Sequence, residues 1–271
     1  MKKFSEINYQ KDVLDIEIDV ISICNYKCKY CCNNRRDKIF LSKEELDIFI
    51  NHIIKYNKKT TVTILGGEPL LYPYLSYMVE KLTNLDNVLR IEIYTNGSKI
   101  IKLKSKKLHI IFSYHVDEFK KDKDKFIFKN LLNYKDQCEL APLIFNYKPE
   151  NYDEIFDFCN HNNIPIMYEY LRSKNKTFID KKFYGRRLCY EYNGQKVSLE
   201  YIFNNKINNF YHWQCTQSIL IIDVKGNVSD CSGKIGNIFD HNFRFKINEI
   251  QCNKLGCNTD CFLGTLKCKN D

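Results

Sequence analysis

The sequence predicts an α/β fold, a parallel sheet with helices outside it, followed by a small cysteine-rich extension. Two observations carry this. Through the first two thirds of the chain, segments of period two alternate with segments of helical period, in about six β/α units. Beyond about Arg172 the alternation stops and Asn, Tyr and Cys dominate. Cys189, Cys215, Cys231, Cys252, Cys257, Cys261 and Cys268, seven of the 13 cysteines, lie there. The boundary falls near 173–188, giving a first domain over residues 1–172 and a connector with its extension over 173–271.

Each element has its own signal. Leu14 to Ile23 begins with Leu14, Ile16 and Ile18 against Asp15, Glu17 and Asp19, the alternation of a strand. Ser42 with Glu45 forms a capping-box pattern ahead of Leu46, Phe49, Ile53 and Ile54, read as one helical face. Thr61 to Leu65 is β-rich and ends in a glycine pair. Leu75 to Leu82 reads as a helix. Leu89 to Tyr94 and Leu108 to Tyr114 read as strands, the first ending in Thr95-Asn96-Gly97. Two more strands are expected at Glu139 to Phe145 and Ile164 to Tyr170, with a helix over Tyr152 to Asn162 between them. Ile219 to Val224 with Lys225-Gly226-Asn227 reads as a strand and tight turn. The Lys-rich stretches Lys99 to Lys107 and Lys120 to Lys129 read as solvated loop or helix faces.

Composition narrows the class. In 271 residues, 44% are apolar and 28% charged, enough to fold around a core. The net charge of +9 admits an anionic partner without demanding one. No apolar run approaches the roughly 20 residues of a membrane span. Met1 to Glu6 starts basic with no apolar stretch behind it, so no export signal is read and the expected location is cytoplasmic. In a long, unexported chain an odd count of 13 cysteines points to reduced thiols serving metals rather than to disulfides.

Cys24, Cys28 and Cys31 fall within eight residues, directly after the first strand. Spacings of four and three let one loop wrap one metal centre. A structural zinc wants a fourth ligand, which a distant Cys or His would supply. An iron–sulfur cube held by three thiolates leaves one iron open to another ligand. The adjacent Cys32 is set aside, because neighbouring residues rarely point at the same metal.

The pattern C-x3-C-x-Y-C, with Tyr30 before the last cysteine, resembles the signature of the radical S-adenosylmethionine (SAM) superfamily. The resemblance covers roughly residues 13–172 and implies a partial (β/α)6 barrel. It implies that Cys24, Cys28 and Cys31 hold a [4Fe-4S] cluster whose open iron binds SAM. It also implies reductive cleavage of SAM to a 5′-deoxyadenosyl radical that abstracts a substrate hydrogen, with electrons from a reductase or from a flavodoxin or ferredoxin. Leu65-Gly66-Gly67-Glu68-Pro69 resembles the family's GGEP motif. Gly66 and Gly67 permit close approach of backbone to a ligand, and Glu68 beside them could accept from an ammonium group; the resemblance implies that the motif contacts the SAM methionyl amine through backbone, with Glu68 nearby. Asn96 in Thr95-Asn96-Gly97 and Ser113 at the end of the fourth strand are similarly placed for SAM contacts, and His115 is expected to face the substrate. Tyr168, Glu169 and Arg172 close the sixth strand at the rim where β/α barrels gather active-site residues, which a merely solvated rim would explain as well.

In the second part, Cys215, Gly226 and Cys231 resemble the opening of the SPASM and twitch extensions, which carry auxiliary clusters. The spacing from Cys252 to Cys257 departs from the longer SPASM pattern, so a twitch-like form with one auxiliary [4Fe-4S] fits better. Its expected ligands are Cys215, Cys231, Cys257 and Cys261. Cys252 is a substitute for Cys257, Cys189 or Cys268 an extra ligand, and a zinc ribbon the plainer alternative. Cys138 and Cys159 read as buried structural thiols.

The resemblance therefore implies a radical SAM oxidoreductase-type enzyme. A small molecule of sugar or aminocyclitol type ranks ahead of a ribosomally made peptide as substrate, because only about a dozen residues precede the first strand. A tRNA or nucleotide precursor is the third class. The reading from another class is a non-catalytic zinc protein contacting nucleic acid. It finds no helix-turn-helix, no paired His for zinc fingers, and no role for the GGEP motif.

Overall fold

Alternation along the strands decides which face meets the helices. A computed structural model describes residues 13–28, 31, 38–121, 123–144, 152–166, 169–170, 188–192, 195–198, 201, 204–207, 209, 211–252 and 267–270. Six strands run parallel in chain order: β1 (Leu14–Asp19), β2 (Thr60–Leu65), β3 (Val88–Thr95), β4 (Leu108–Tyr114), β5 (Cys138–Ile144) and β6 (Glu169–Tyr170). Leu14, Ile16, Ile18, Val62, Ile64, Ile91, Ile93, Ile110, Phe112 and Leu140 form one core with the helices. The helices are α1 (Lys43–Tyr56), α2 (Leu75–Thr83), α3 (Val116–Phe119), α4 (Phe126–Asn133) and α5 (Asp153–His161). This is the α/β partial-barrel plan expected from the alternation.

The capping box of α1 is formed: Ser42 Oγ accepts from Glu45 N, and the Glu45 carboxylate accepts from Ser42 N. Leu46, Phe49, Ile50 and Ile53 turn inward, at the i, i+3, i+4, i+7 spacing of one face. Ile54, expected on that face, is instead exposed, because it lies one further position around the helix. The expected sixth strand over 164–170 is shorter: an isolated bridge joins Ile166 to Leu140, and β6 covers Glu169–Tyr170.

One crossover lacks its helix. Residues 96–107 pass from β3 to β4 as an extended strap, with Ile101 and Leu103 buried and Lys102, Lys104 and Lys106 exposed. The buried Asn130 of α4 secures it. Its Nδ2 donates to Gly97 O (3.1 Å) and Lys99 O (2.7 Å), and its Oδ1 accepts from Ile101 N (3.1 Å). Tyr134 Oη bonds both N and O of Leu103. An extended strap cannot satisfy its own backbone, so α4 does so.

The second part of the chain continues the same sheet. After β7 (Leu188–Tyr192), β8 (Gln195–Ser198) and β9 (Gln214–Gln217), strand β10 (Ile219–Ile222) lies parallel to β1, with Asp15 opposite Ile219. The turn at Gly226 (φ +76°) leads into β11 (Asn227–Asp230), and β12 (Gly233–Asn237) forms the edge. Leu220, Ile222, Val228, Ile238 and Phe245 belong to the same core as the barrel helices. The buried His52 of α1 bonds Ile238 O through Nε2 (2.7 Å). The boundary near residue 172 lies outside the described residues, and the core runs across it. β13 (Asn248–Gln251) pairs with β9, and β14 (Lys267–Asn270) with β7.

The opposite face carries most of the sheet's polar side chains. Asp15, Glu17, Asp19, Thr61, Thr63, Arg90, Glu92, His109, Ile111, Ser113 and Glu139 alternate with the core residues and so share this inner face. Among the described residues, no helix is long and apolar enough to cross a membrane.

Candidate active site

The cysteine loop is clamped at its stem. Ile21 bridges Phe40, Ser22 N donates to Ile39 O (2.9 Å), Ser22 Oγ accepts from Ile39 N (3.0 Å), and Leu41 N donates to Val20 O (3.0 Å). Cys24, Cys28 and Cys31 therefore sit at the carboxyl end of β1. Tyr30 lies outside the described residues.

The loop after β2 is pressed against this stem. Gly67 N donates to Ile21 O (2.6 Å) and Glu68 N to Ile23 O (2.9 Å). A Cβ on Gly66 would stand 2.3 Å from Ile21 O, and one on Gly67 2.2 Å from Ile23 O. Gly66 also has φ +138°. The glycines expected to admit a ligand thus serve first to admit the backbone that carries the cysteines.

Glu68 is bonded on the protein side in the same way. It is 1% exposed, and its carboxylate accepts from Leu70 N (2.9 Å), Thr95 Oγ1 (2.6 Å) and Asn96 N (2.8 Å). Burial pushes the carboxyl above its usual range, against the pull of these three donors. The side chain joins the loop after β2 to the end of β3. Pro69–Leu71 continues as a single 3-10 turn capped by Glu68.

Asn96 extends the web to the cysteine loop. Its Oδ1 accepts from Ser98 N (2.9 Å), and its Nδ2 donates to Asn25 Oδ1 (3.1 Å) and lies 4.0 Å from Cys24 Sγ. Asn25 Nδ2 in turn donates to Ser98 Oγ (2.8 Å). The sequence reading missed Asn25, Thr95 and Ser98. The one local hint was Asn25 lying next to Cys24 between the ligand positions.

From β4, Ser113 is half-buried on the inner face, in register with Ala141 of β5. His115, expected to face substrate, places Nδ1 3.4 Å from Cys28 Sγ and its ring edge-on to Tyr26. In α3, Glu118 accepts from Lys27 N (3.2 Å), a second tie to the loop. Tyr168 and Arg172 lie outside the described residues, and Glu169 opens β6.

The donor set suits a cluster. Three thiols stand on one loop, and N–H groups approach their sulfurs: Tyr26 N donates to Cys24 Sγ at 3.4 Å. Such contacts stabilise thiolates. Among the described residues, no three Cys, His, Asp or Glu side chains gather closely enough for a single metal ion.

The radical SAM family model matches residues 18–171, more than half of the chain. The chain belongs to the radical SAM superfamily. That membership implies a [4Fe-4S] cluster and SAM, and the cysteine loop, the glycine pair and Asn96 meet at one end of the sheet. The GTP 3′,8-cyclase of Staphylococcus epidermidis is 33% identical over 105 residues, covering 36% of this chain and 31% of the relative. The match thus spans about a third of that curated relative. SuiB of Streptococcus suis, solved with the precursor peptide SuiA, superposes with a TM-score of 0.59 at 17% identity, covering 88% of this chain and 65% of that one. Native anSMEcpe, solved with bound AdoMet and the Cp18Cys peptide, gives 0.58 at 16% identity, covering 83% of this chain and 77% of that one. At these identities the likeness establishes the radical SAM fold.

The remaining cysteines divide. Cys138 and Cys159 are buried, as expected, and burial pushes both thiols up to about 12. Cys231 follows β11, two residues beyond Ser229, which pairs with Ile221. Cys215 lies in β9 opposite Ile250, and Cys252 N donates to Trp213 O next to it. Cys257 and Cys261 lie outside the described residues. Cys189 and Cys268 take adjacent positions of the β7–β14 pair.

Proposed function

We propose that the chain is a radical SAM enzyme using one cluster at Cys24, Cys28 and Cys31, with a second, auxiliary [4Fe-4S] cluster in its second part. When bound, the first cluster and SAM supply a reductively formed 5′-deoxyadenosyl radical that takes a hydrogen atom from substrate. The observation that carries this is the convergence of three loops at one end of the sheet. The cysteine loop, Gly66-Gly67-Glu68 and Thr95-Asn96 are knitted there by Glu68 and by the Asn25–Asn96–Ser98 bonds. Gly66, Gly67 and Asn96 would hold SAM through backbone and amide groups. Glu68 would keep them in place, and Ser113 would line the same mouth.

For the auxiliary cluster, Cys215, Cys231, Cys257 and Cys261 remain the proposed ligands. The β9–β13 pairing supports Cys252 as the substitute for Cys257, because it brings Cys252 beside the strand of Cys215.

The fold shared with two structures that were solved with peptides supports a peptide substrate, which moves ahead of the small molecule favoured by the sequence. The inner face favours a cationic group in either case. Asp15, Glu17, Asp19, Glu92 and Glu139 lie there against Arg90 and His109. This same excess of carboxylates disfavours a triphosphate nucleotide at the floor of the barrel. An amine-bearing sugar or aminocyclitol is the second reading that this charge supports.

The test is anaerobic reconstitution with iron and sulfide, then SAM and dithionite, with 5′-deoxyadenosine as the readout. Product is expected from the wild type and none from Cys24→Ala, Cys28→Ala or Cys31→Ala. Cleavage that survives any one replacement removes that residue from the ligand set, and a colourless protein carrying zinc would overturn the reading. A precursor-peptide gene beside this one, or stimulation of product by an amine-bearing sugar, separates the two substrate classes.

A further inference from the structure

We propose that His115 is a tuning residue of the cluster, its imidazole donating an Nδ1–H hydrogen bond to the Cys28 thiolate and raising the cluster's reduction potential. The inference rests on the cluster reading of Cys24, Cys28 and Cys31. Nδ1 stands 3.4 Å from Cys28 Sγ. A metal-bound thiolate carries no proton, so the nitrogen must be the donor, which selects the Nδ1–H form of the ring. The ring is held on more than one side. Tyr26, itself buried, meets it edge-on with centroids 6.0 Å apart. The His115 carbonyl accepts from Glu118 N (3.1 Å) and Phe119 N (2.8 Å), anchoring the residue to the first turn of α3. Glu118 then returns to the cysteine loop through Lys27 N. The imidazole and Cys28 are thus tied to one another through two routes, by contact and by α3.

A hydrogen bond to a cluster sulfur strengthens as negative charge grows on that sulfur. Reduction adds charge, so the donor stabilises the reduced form more than the oxidised one. Cys24 receives a donor from the backbone, Tyr26 N at 3.4 Å, with the Asn96 amide further off at 4.0 Å. At Cys28 the His115 donor is a side chain, so the sequence can set its presence or absence. A radical SAM enzyme must accept an electron at low potential, and a side-chain donor is a means of adjusting how easily it does so.

The experiment uses the full reconstituted chain and reads the cluster rather than turnover. His115→Phe keeps a ring against Tyr26 and removes the N–H. Its cluster is expected to titrate at a more negative midpoint than the wild type, at equal iron and sulfide content. An unchanged or more positive midpoint overturns the proposal. If the variant fails to keep its cluster, the wild type alone decides. Pulsed electron paramagnetic resonance of the reduced protein, labelled with 15N-histidine, is expected to show a nitrogen coupling to the cluster, and its absence overturns the proposal. A wild type that shows no reduced-cluster signal and holds no iron would instead defeat the cluster reading, and this inference with it.

Discussion

Glu68 shows how one buried carboxylate organises the site from behind. Its donors come from the loop after β2 and from the end of β3, 27 and 28 residues away. Replacing it with Ala leaves the N–H groups of Leu70 and Asn96 without a partner in a dry place. Glu68→Ala is therefore expected to lower stability by roughly 2–4 kcal/mol, read by denaturant unfolding, and to weaken SAM binding by calorimetry. SAM affinity unaltered in a destabilised variant would make Glu68 purely structural. Asp19 gives a pH prediction. It ends β1 on the inner face, and burial, then the neighbouring Asp223, push its carboxyl up to about 6. The folded chain thus holds this proton more tightly than the unfolded one, whose carboxyl titrates near 3.8. Stability from this group is present below about 3.8, falls as pH rises, and is gone above about 6. Asp19→Asn should be more stable than wild type at pH 7 by about 1–2 kcal/mol, allowing for solvent screening at the rim. That gain should shrink as pH drops towards 4, and melting curves across this range that show a constant difference would refute the account.

At the scale of elements, the strap over 96–107 is the departure that shapes the site. Its first residues, Asn96 to Ser98, bond the cysteine loop, while its middle is bonded by Asn130. A regular helix there would satisfy its own backbone and would need no such anchor. Asn130→Ala is expected to cost about 2–4 kcal/mol, because Gly97 O, Lys99 O and Ile101 N lose their partner together. Its melting temperature should fall, and SAM affinity with it, through Asn96. A lowered melting temperature with full SAM affinity would show that the strap's first residues hold without its middle. The Lys run over Lys99 to Lys107 gave the correct reading of a solvated segment, since its charges alternate with the buried Ile101 and Leu103. The absent helix was not legible, because the residue that replaces it stands about 30 positions later, in α4.

For the whole molecule, the parallel pairing of β10 with β1 sets Cys24 and Cys231 apart. Cys24 follows the carboxyl end of β1, whereas β11 runs the other way, with Ser229 opposite Ile221 and so level with Glu17, and Cys231 comes two residues later. Neighbouring strands lie about 4.8 Å apart, and β10 stands between β1 and β11. The double variant Cys215→Ala, Cys231→Ala is expected to lose about one cluster of iron per chain while keeping part of its SAM cleavage. Iron unchanged by chemical analysis would refute the auxiliary site. Because Leu220, Ile222, Val228 and Phe245 share the barrel's core, conservative Cys→Ser changes provide the control for folding.

Local chemistry was readable before any coordinates. The cysteine spacing, the glycine pair, the capping box and the alternation of the strands each depend on residues within a turn or two of one another. They sufficed for the fold class and for the family to which the chain belongs. What stayed hidden depended on pairs far apart in sequence: Glu68 with Thr95, Asn25 with Ser98, Lys27 with Glu118 and Cys28 with His115. A side chain's partner across such distances is set by strand register and by which loop ends meet, and both exist only once the sheet has formed. Hence the sequence put Glu68 beside a glycine pair and His115 after the fourth strand, while only the packing shows that one reaches the ends of β2 and β3 and the other a thiol.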